Sequence, residues 1–191
     1  MFWCRFCHWR STRRADRSTP ALRPARGHDV HLYDDDDELV NSLEDFLLQG
    51  WSAGGAAIVV ATAEHRSALH TRLREDGLEG SLRGGRLIEL DAASTLRLFM
   101  RDGLPDSDLF NETVGAVVRE VAAERPLHAF GEMVDLLWTE GNTRGAMRLE
   151  RLWAGLQDEI PFHLLCSYAA SHVEETHELT AITRVHDTVA A

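Results

Sequence analysis

Lysine is missing altogether: all 20 basic residues of this 191-residue chain are arginines. The absence removes the side chain that normally reaches the β- and γ-phosphates of a bound nucleotide. Cysteine is scarce as well. Cys4, Cys7 and Cys166 are too few and too scattered for a disulfide framework, so a reducing cytoplasm is the expected setting. No apolar run approaches the ~18–20 residues of a membrane span. The apolar first residues turn arginine-rich without an apolar h-region or a small-residue cleavage site, so neither export nor a membrane partner is expected.

Acidic charge dominates, but unevenly. The formal net charge is −11, yet residues 1–27 carry seven arginines against the single Asp16, and the remainder carries 13 arginines against 30 acids. A body this acidic repels phosphates, so no nucleic acid partner is expected. Residues 1–27 hold Pro20, Pro24 and Ser/Thr/Arg clusters without a sustained period, and read as a basic, disordered tail. Residues 28–191 then suit one domain. With 44% hydrophobic residues and five tryptophans, it can bury a core without the help of a disulfide or a metal.

From Gly27 onward, short apolar runs alternate with helical patterns. Strands are predicted over 30–33, 56–60, 86–90, 127–130 and 162–168. Asp35 and Glu38 have the spacing of a capping box, which predicts a helix running to Gln49 and stopping at Gly50. Leu39, Leu43, Phe46 and Leu47 recur along it at helical spacing. Further helices are predicted over 64–75, 93–99, 108–123, 133–139 and 144–156, with a turn-rich loop through Gly103, Pro105 and Asp106. A polar helix is expected from His172 toward Val189. Strands alternating with helices predict an α/β domain with a mainly parallel sheet flanked by helices on both faces.

The turn after the first strand reads Asp34-Asp35-Asp36-Asp37-Glu38. A phosphate loop needs glycines whose backbone N–H groups converge, a lysine, and a hydroxyl for Mg²⁺. Here there are five carboxylates instead, and each like-charge contact at ~4 Å costs about 1 kcal/mol even in water. Triphosphate binding at this turn is therefore disfavoured. Acids in a first helical turn meet the positive end of the helix dipole, which accounts for the run. A divalent-cation site is the sharper alternative, but the EF-hand pattern fails at Leu39 and Asp45.

Other constellations carry less. Cys4-Arg5-Phe6-Cys7-His8 has the spacing of covalent haem attachment, and with His28 and His31 it offers zinc ligands, but it lies in the arginine-rich tail. His172 and His177 are about 140° apart on a helix and share no face. No G-x-S-x-G occurs. Cys166 falls inside an apolar strand pattern and reads as packing. No catalytic residue, metal site or cofactor is assigned.

Several segments occur together in a familiar order: His28-Asp29-Val30-His31-Leu32-Tyr33, Phe46-Leu47-Leu48-Gln49-Gly50, Phe130-Gly131-Glu132-Met133-Val134 and Leu137-Trp138-Thr139-Glu140-Gly141-Asn142. With Leu149–Trp153 and Phe162–Tyr168 they make the chain resemble the MEDS domain, the sensory domain of methanogen and methylotroph regulators, over about residues 28–187. The resemblance implies a RecA-like three-layer fold, related to the RecA/KaiC ATPases, with the phosphate loop lost. The family often carries cysteine two residues after its first histidine; Val30 stands there in this chain, so no thiol chemistry is expected at that position.

Open α/β sheets place ligands at the carboxyl ends of their strands. Glu132 falls at such an end, His31 and Tyr33 border the equivalent crevice after the first strand, and Tyr168 closes the last strand. Trp138 either lines the crevice or fills the core, and His186 can fold back over this edge. With His28, these residues form the expected site for a small, partly apolar ligand. The expected function is a non-catalytic sensory or regulatory domain in prokaryotic signal transduction, acting on a signalling protein such as a histidine kinase or a sigma-factor regulator. A RecA/KaiC-like ATPase with a nonstandard nucleotide site and a ligand-free scaffold are the alternatives.

Overall fold

The structure, a computed structural model, describes residues 26–78, 80, 84–173, 180, 182–184 and 186–190. The tail expected at residues 1–27 lies outside it except for its end: Arg26 pairs with Asp158 at 2.6 Å, and Gly27 already belongs to the first strand.

Six parallel strands make the central sheet. They are β1 (Gly27–Tyr33), β2 (Ala56–Ala61), β3 (Leu87–Asp91), β6 (Leu127–Gly131), β7 (His163–Ala169) and β8 (Thr188–Ala190), in the order β3-β2-β6-β7-β1-β8. Parallel neighbours need crossovers, and the helices supply them on both faces, giving the three layers that the strand–helix alternation predicts. Two helices, α1 (Asp36–Ser52) and α2 (Ala63–Glu75), cover one face; Leu39, Leu43, Leu47, Leu69 and Leu73 pack there on Val59, Phe130 and Leu165. The other face is covered by α3 (Ala92–Phe99), α4 (Ser107–Phe110), α5 (Ala116–Glu124), α6 (Met133–Thr139) and α7 (Thr143–Glu159). Phe99, Phe110, Trp153, Phe162 and Tyr168 fill the core on that side. No helix among the described residues is long and apolar enough to cross a membrane.

The acidic turn behaves as a helix cap. Asp35 accepts from the Glu38 N–H at 2.9 Å, and the Glu38 carboxylate accepts from the Asp34 N–H at 2.8 Å, a variant of the capping box in which the returning bond goes to the residue before the cap. The helix does not stop at Gly50, as its sequence predicts, but continues to Ser52. Gly50 is a packing glycine: a Cβ there would sit 2.8 Å from the ring of His128. The extra turn buries Trp51.

Three further departures have local causes. The loop after α3 contains a hairpin, β4 (Met100–Arg101) with β5 (Leu104–Pro105), turned by Asp102 and Gly103 at φ 49° and 76°, as an Asp-Gly type I′ turn requires. The helix expected over 108–123 is split by a π-helical turn, Asn111–Gly115, where the Thr113 hydroxyl donates to the Leu109 carbonyl at 2.6 Å. The polar helix expected from His172 toward Val189 is not continuous. Its stretch 174–179 lies outside the described residues, His172 ends a 3₁₀ turn, and Thr188–Ala190 is a strand on the open edge of β1. The unpaired backbone groups of that edge dictate the outcome, and Thr188 and Val189, both β-branched, suit a strand.

Candidate functional site

Alternation along β1 sends neighbouring side chains to opposite faces of the sheet. The sequence-predicted residues consequently divide into two groups instead of lining one crevice. His31 and Tyr33 belong with Glu132 toward the α1/α2 side and the strand ends, whereas His28, Trp138, Tyr168 and His186 lie on the α6/α7 side.

At the carboxyl end of the sheet, Glu132 directly follows β6 and is 2% exposed. Its carboxylate accepts from the Thr62 N–H and lies 2.6 Å from His65 Nδ1. The other ring nitrogen of His65 is 3.3 Å from Asp36. The hydrogen bond to Glu132 overcomes burial and raises His65 to about 9, so it is an imidazolium at neutral pH. Tyr33 stands edge-on to His65 with ring centroids 6.3 Å apart. Burial raises the Tyr33 phenol, and the nearby Asp135, Glu132 and Asp36 raise it further; it remains a donor. Asp135, on α6, accepts from the Ala169 N–H at 3.2 Å and lies 3.0 Å from His172. Burial raises its carboxyl against the lowering pull of His172. On the same side, His31 Nε2 lies 3.8 Å from Glu38, and burial lowers this histidine's pKa despite that neighbour.

The second group centres on Glu150 of α7, which is fully buried. Tyr168 donates to its Oε1 at 2.7 Å, Cys166 donates to its Oε2 at 3.3 Å, and His28 Nε2 is 3.2 Å from the same Oε2. His186 Nε2 is 3.5 Å from Oε1. Burial opposes the charge on Glu150, yet His186 and His28 hold its carboxyl well below the usual range. Burial, and then Glu150, push the Cys166 thiol up. Trp138 stands edge-to-face with Tyr168 at 5.5 Å and is buried, so it is core. A groove of about 750 Å³ between α1 and α2 is lined by Asp37, Asn41, Ser67 and Arg72 among others, and no side chain of either group borders it.

Sequence reasoning passed over His65, Asp135 and Glu150, and placed His172 at the start of a polar helix with no part in the site. Glu150 did leave a signal. With Ala146, Trp153 and Gln157 it lies at helical spacing on the buried stripe of α7, where an acid requires a buried partner. His65 and Asp135 left none, because their partners are distant in sequence.

A parallel sheet between two helical layers, with an acidic helix cap directly after its first strand, defines a RecA-like three-layer α/β fold. The family model of MEDS, the MEthanogen/methylotroph, DcmR Sensory domain, matches residues 27–187, and the chain belongs to that family. Among solved structures it is similar to a KaiC-like protein from the hyperthermophilic archaeon Pyrococcus horikoshii OT3. The TM-score is 0.59 at 13% sequence identity, covering 87% of this chain and 71% of the other. At that identity the likeness shows the fold alone. No curated protein matches the sequence.

Proposed function

We propose that the chain is a non-catalytic sensory domain that binds a small polar molecule at the carboxyl ends of β1, β6 and β7, and reports its presence to a signalling protein. The observation that carries this reading is the array of the buried Tyr33, Glu132 and Asp135 with the partly buried His65, which occupies the strand ends where open α/β sheets take their ligands. Two further atoms support it. His31 Nδ1 and Ser167 Oγ are buried without a hydrogen-bond partner, and their residues are directly paired between β1 and β7. Buried polar atoms are rarely left unsatisfied, and a small hydrogen-bonding ligand answers that need. The carboxylates favour a ligand that donates hydrogen bonds or carries positive charge, and disfavour a triphosphate.

Thermal unfolding tests both this reading and its ATPase alternative. The chain is melted with Mg²⁺-ATP, with Mg²⁺-ADP, and with a panel of small amines, alcohols and amides. A compound at 100 times its Kd adds about 2.7 kcal/mol, an easily measured rise in Tm. The expected result is no response to nucleotide and a rise with a panel compound that Glu132→Gln abolishes. A Mg²⁺-dependent rise with ATP would instead establish a nonstandard nucleotide site.

A further inference from the structure

We propose that His28, Glu150, Cys166 and His186 form a closed, four-ligand site for a divalent transition-metal ion of the zinc type. It is separate from the strand-end array and does not depend on the sensory reading. One ligand atom from each residue lies within 4.8 Å of the other three. The individual separations are 3.2 Å for His28 Nε2 to Glu150 Oε2, 3.3 Å for Cys166 Sγ to Oε2, 3.5 Å for Cys166 Sγ to His28 Nε2, and 3.5 Å for His186 Nε2 to Oε1. Zinc bonds of about 2.0–2.3 Å make a tetrahedron with edges of roughly 3.3–3.8 Å. The three donors His28 Nε2, Cys166 Sγ and Glu150 Oε2 already stand close to those edges, and His186 completes the set within 4.8 Å.

The surroundings are those of a built site. The side chains of Glu150 and His186 are 0% exposed and that of His28 is 6% exposed. His186 Nδ1 lies 2.7 Å from the Ile182 carbonyl, which fixes that nitrogen as the donor, and its Nε2 points inward with no hydrogen-bond partner. An imidazole held through one nitrogen by a backbone carbonyl presents the other as a ligand. Tyr168 holds Glu150 through its Oε1 at 2.7 Å. Asp187 pins the neighbouring backbone: its N–H donates to the His28 carbonyl, and its carboxylate accepts from the His28 N–H at 2.9 Å. Three ligands stand on β1, α7 and β7, so the site is rigid on those sides. Two nitrogens, one oxygen and one sulfur suit a borderline-soft cation, and four protein ligands describe a structural site. When the ion enters, the Cys166 S–H bond breaks, its proton leaves to solvent, and a metal–sulfur bond forms. Thiolate and carboxylate then balance a doubly charged cation in this buried position.

Cobalt substitution tests the site in the full chain. The parent protein carries Cys4→Ser and Cys7→Ser, which leaves Cys166 as the one cysteine of the three. After chelator treatment it is titrated with Co²⁺ and, separately, with Zn²⁺. The expected result is one metal per chain, intense visible bands of tetrahedral cobalt, and a sulfur-to-cobalt charge-transfer band. With no other thiol present, that band reports Cys166 even if a ligand variant fails to fold. Cys166→Ser should remove it, and Tyr168→Phe should weaken binding by about tenfold while keeping the spectrum. A parent that binds no stoichiometric cobalt, or cobalt bands that survive unchanged in Cys166→Ser, would overturn the proposal and leave the cluster as a hydrogen-bonded network around Glu150.

Discussion

His65 has a carboxylate at each ring nitrogen, Glu132 at 2.6 Å and Asp36 at 3.3 Å. Because its pKa is raised from 6.5 to about 9, the folded state holds a proton that the unfolded chain releases. The contribution is complete below pH 6.5 and is lost as the pH rises through about 9; at full effect it is on the order of 3 kcal/mol. His128 has the opposite sign. Burial, and then His163, lower it to about 4, so the unfolded chain takes up the proton first, and stability is lost as the pH falls from 6.5 toward 4. Urea unfolding across this range should place the maximum near neutrality. His65→Asn should remove most of the alkaline decline, and His128→Phe should reduce the acid one. An alkaline limb unchanged in His65→Asn would mean that the Glu132 contact contributes no net stability.

Two glycines in helices separate packing from propensity. Gly50 of α1 faces His128, with a Cβ position 2.8 Å from the ring, whereas Gly155 of α7 has nothing within 4 Å. Gly155→Ala should therefore stabilise by about 0.5–1 kcal/mol. Gly50→Ala should destabilise by roughly 1–3 kcal/mol despite the better helix former, because α1 or His128 must shift. Urea midpoints of the two variants check both signs. The elements themselves were largely legible. Periodicity located β1, β2, β3, β6 and β7, and Asp35 with Glu38 marked the start of α1, because caps and apolar stripes are local. Gly50 misled because the same residue ends helices and admits close neighbours, and only the fold says which. β8 escaped because three residues are too short for a period and are strand only by virtue of the edge they meet. The candidate site was legible in part. Strand-end geometry pointed to Glu132 and Tyr33, but alternation on β1 separates His28 from His31, and the long stretch of sequence between His28 and Glu150 carries no local sign that the two touch.

Across the whole molecule the charge is lopsided, with 13 arginines against 30 acids after residue 27. Self-repulsion of that size is screened when the Debye length falls from ~30 Å at 0.01 M salt to ~8 Å at 0.15 M. The Tm should rise over that interval, and a fall would mean that the exposed ion pairs outweigh the repulsion. The sheet also ends unevenly. β3 closes one side along five residues, but on the other side β8 covers only Asp29, Val30 and His31 of β1. Lifting β8 would bare a row of amide and carbonyl groups on β1, a template onto which a strand from another polypeptide can zip. The same movement would carry off His186, two residues upstream of β8. The last strand thus ties the chain segment that carries His186 to the edge of β1 along three residues.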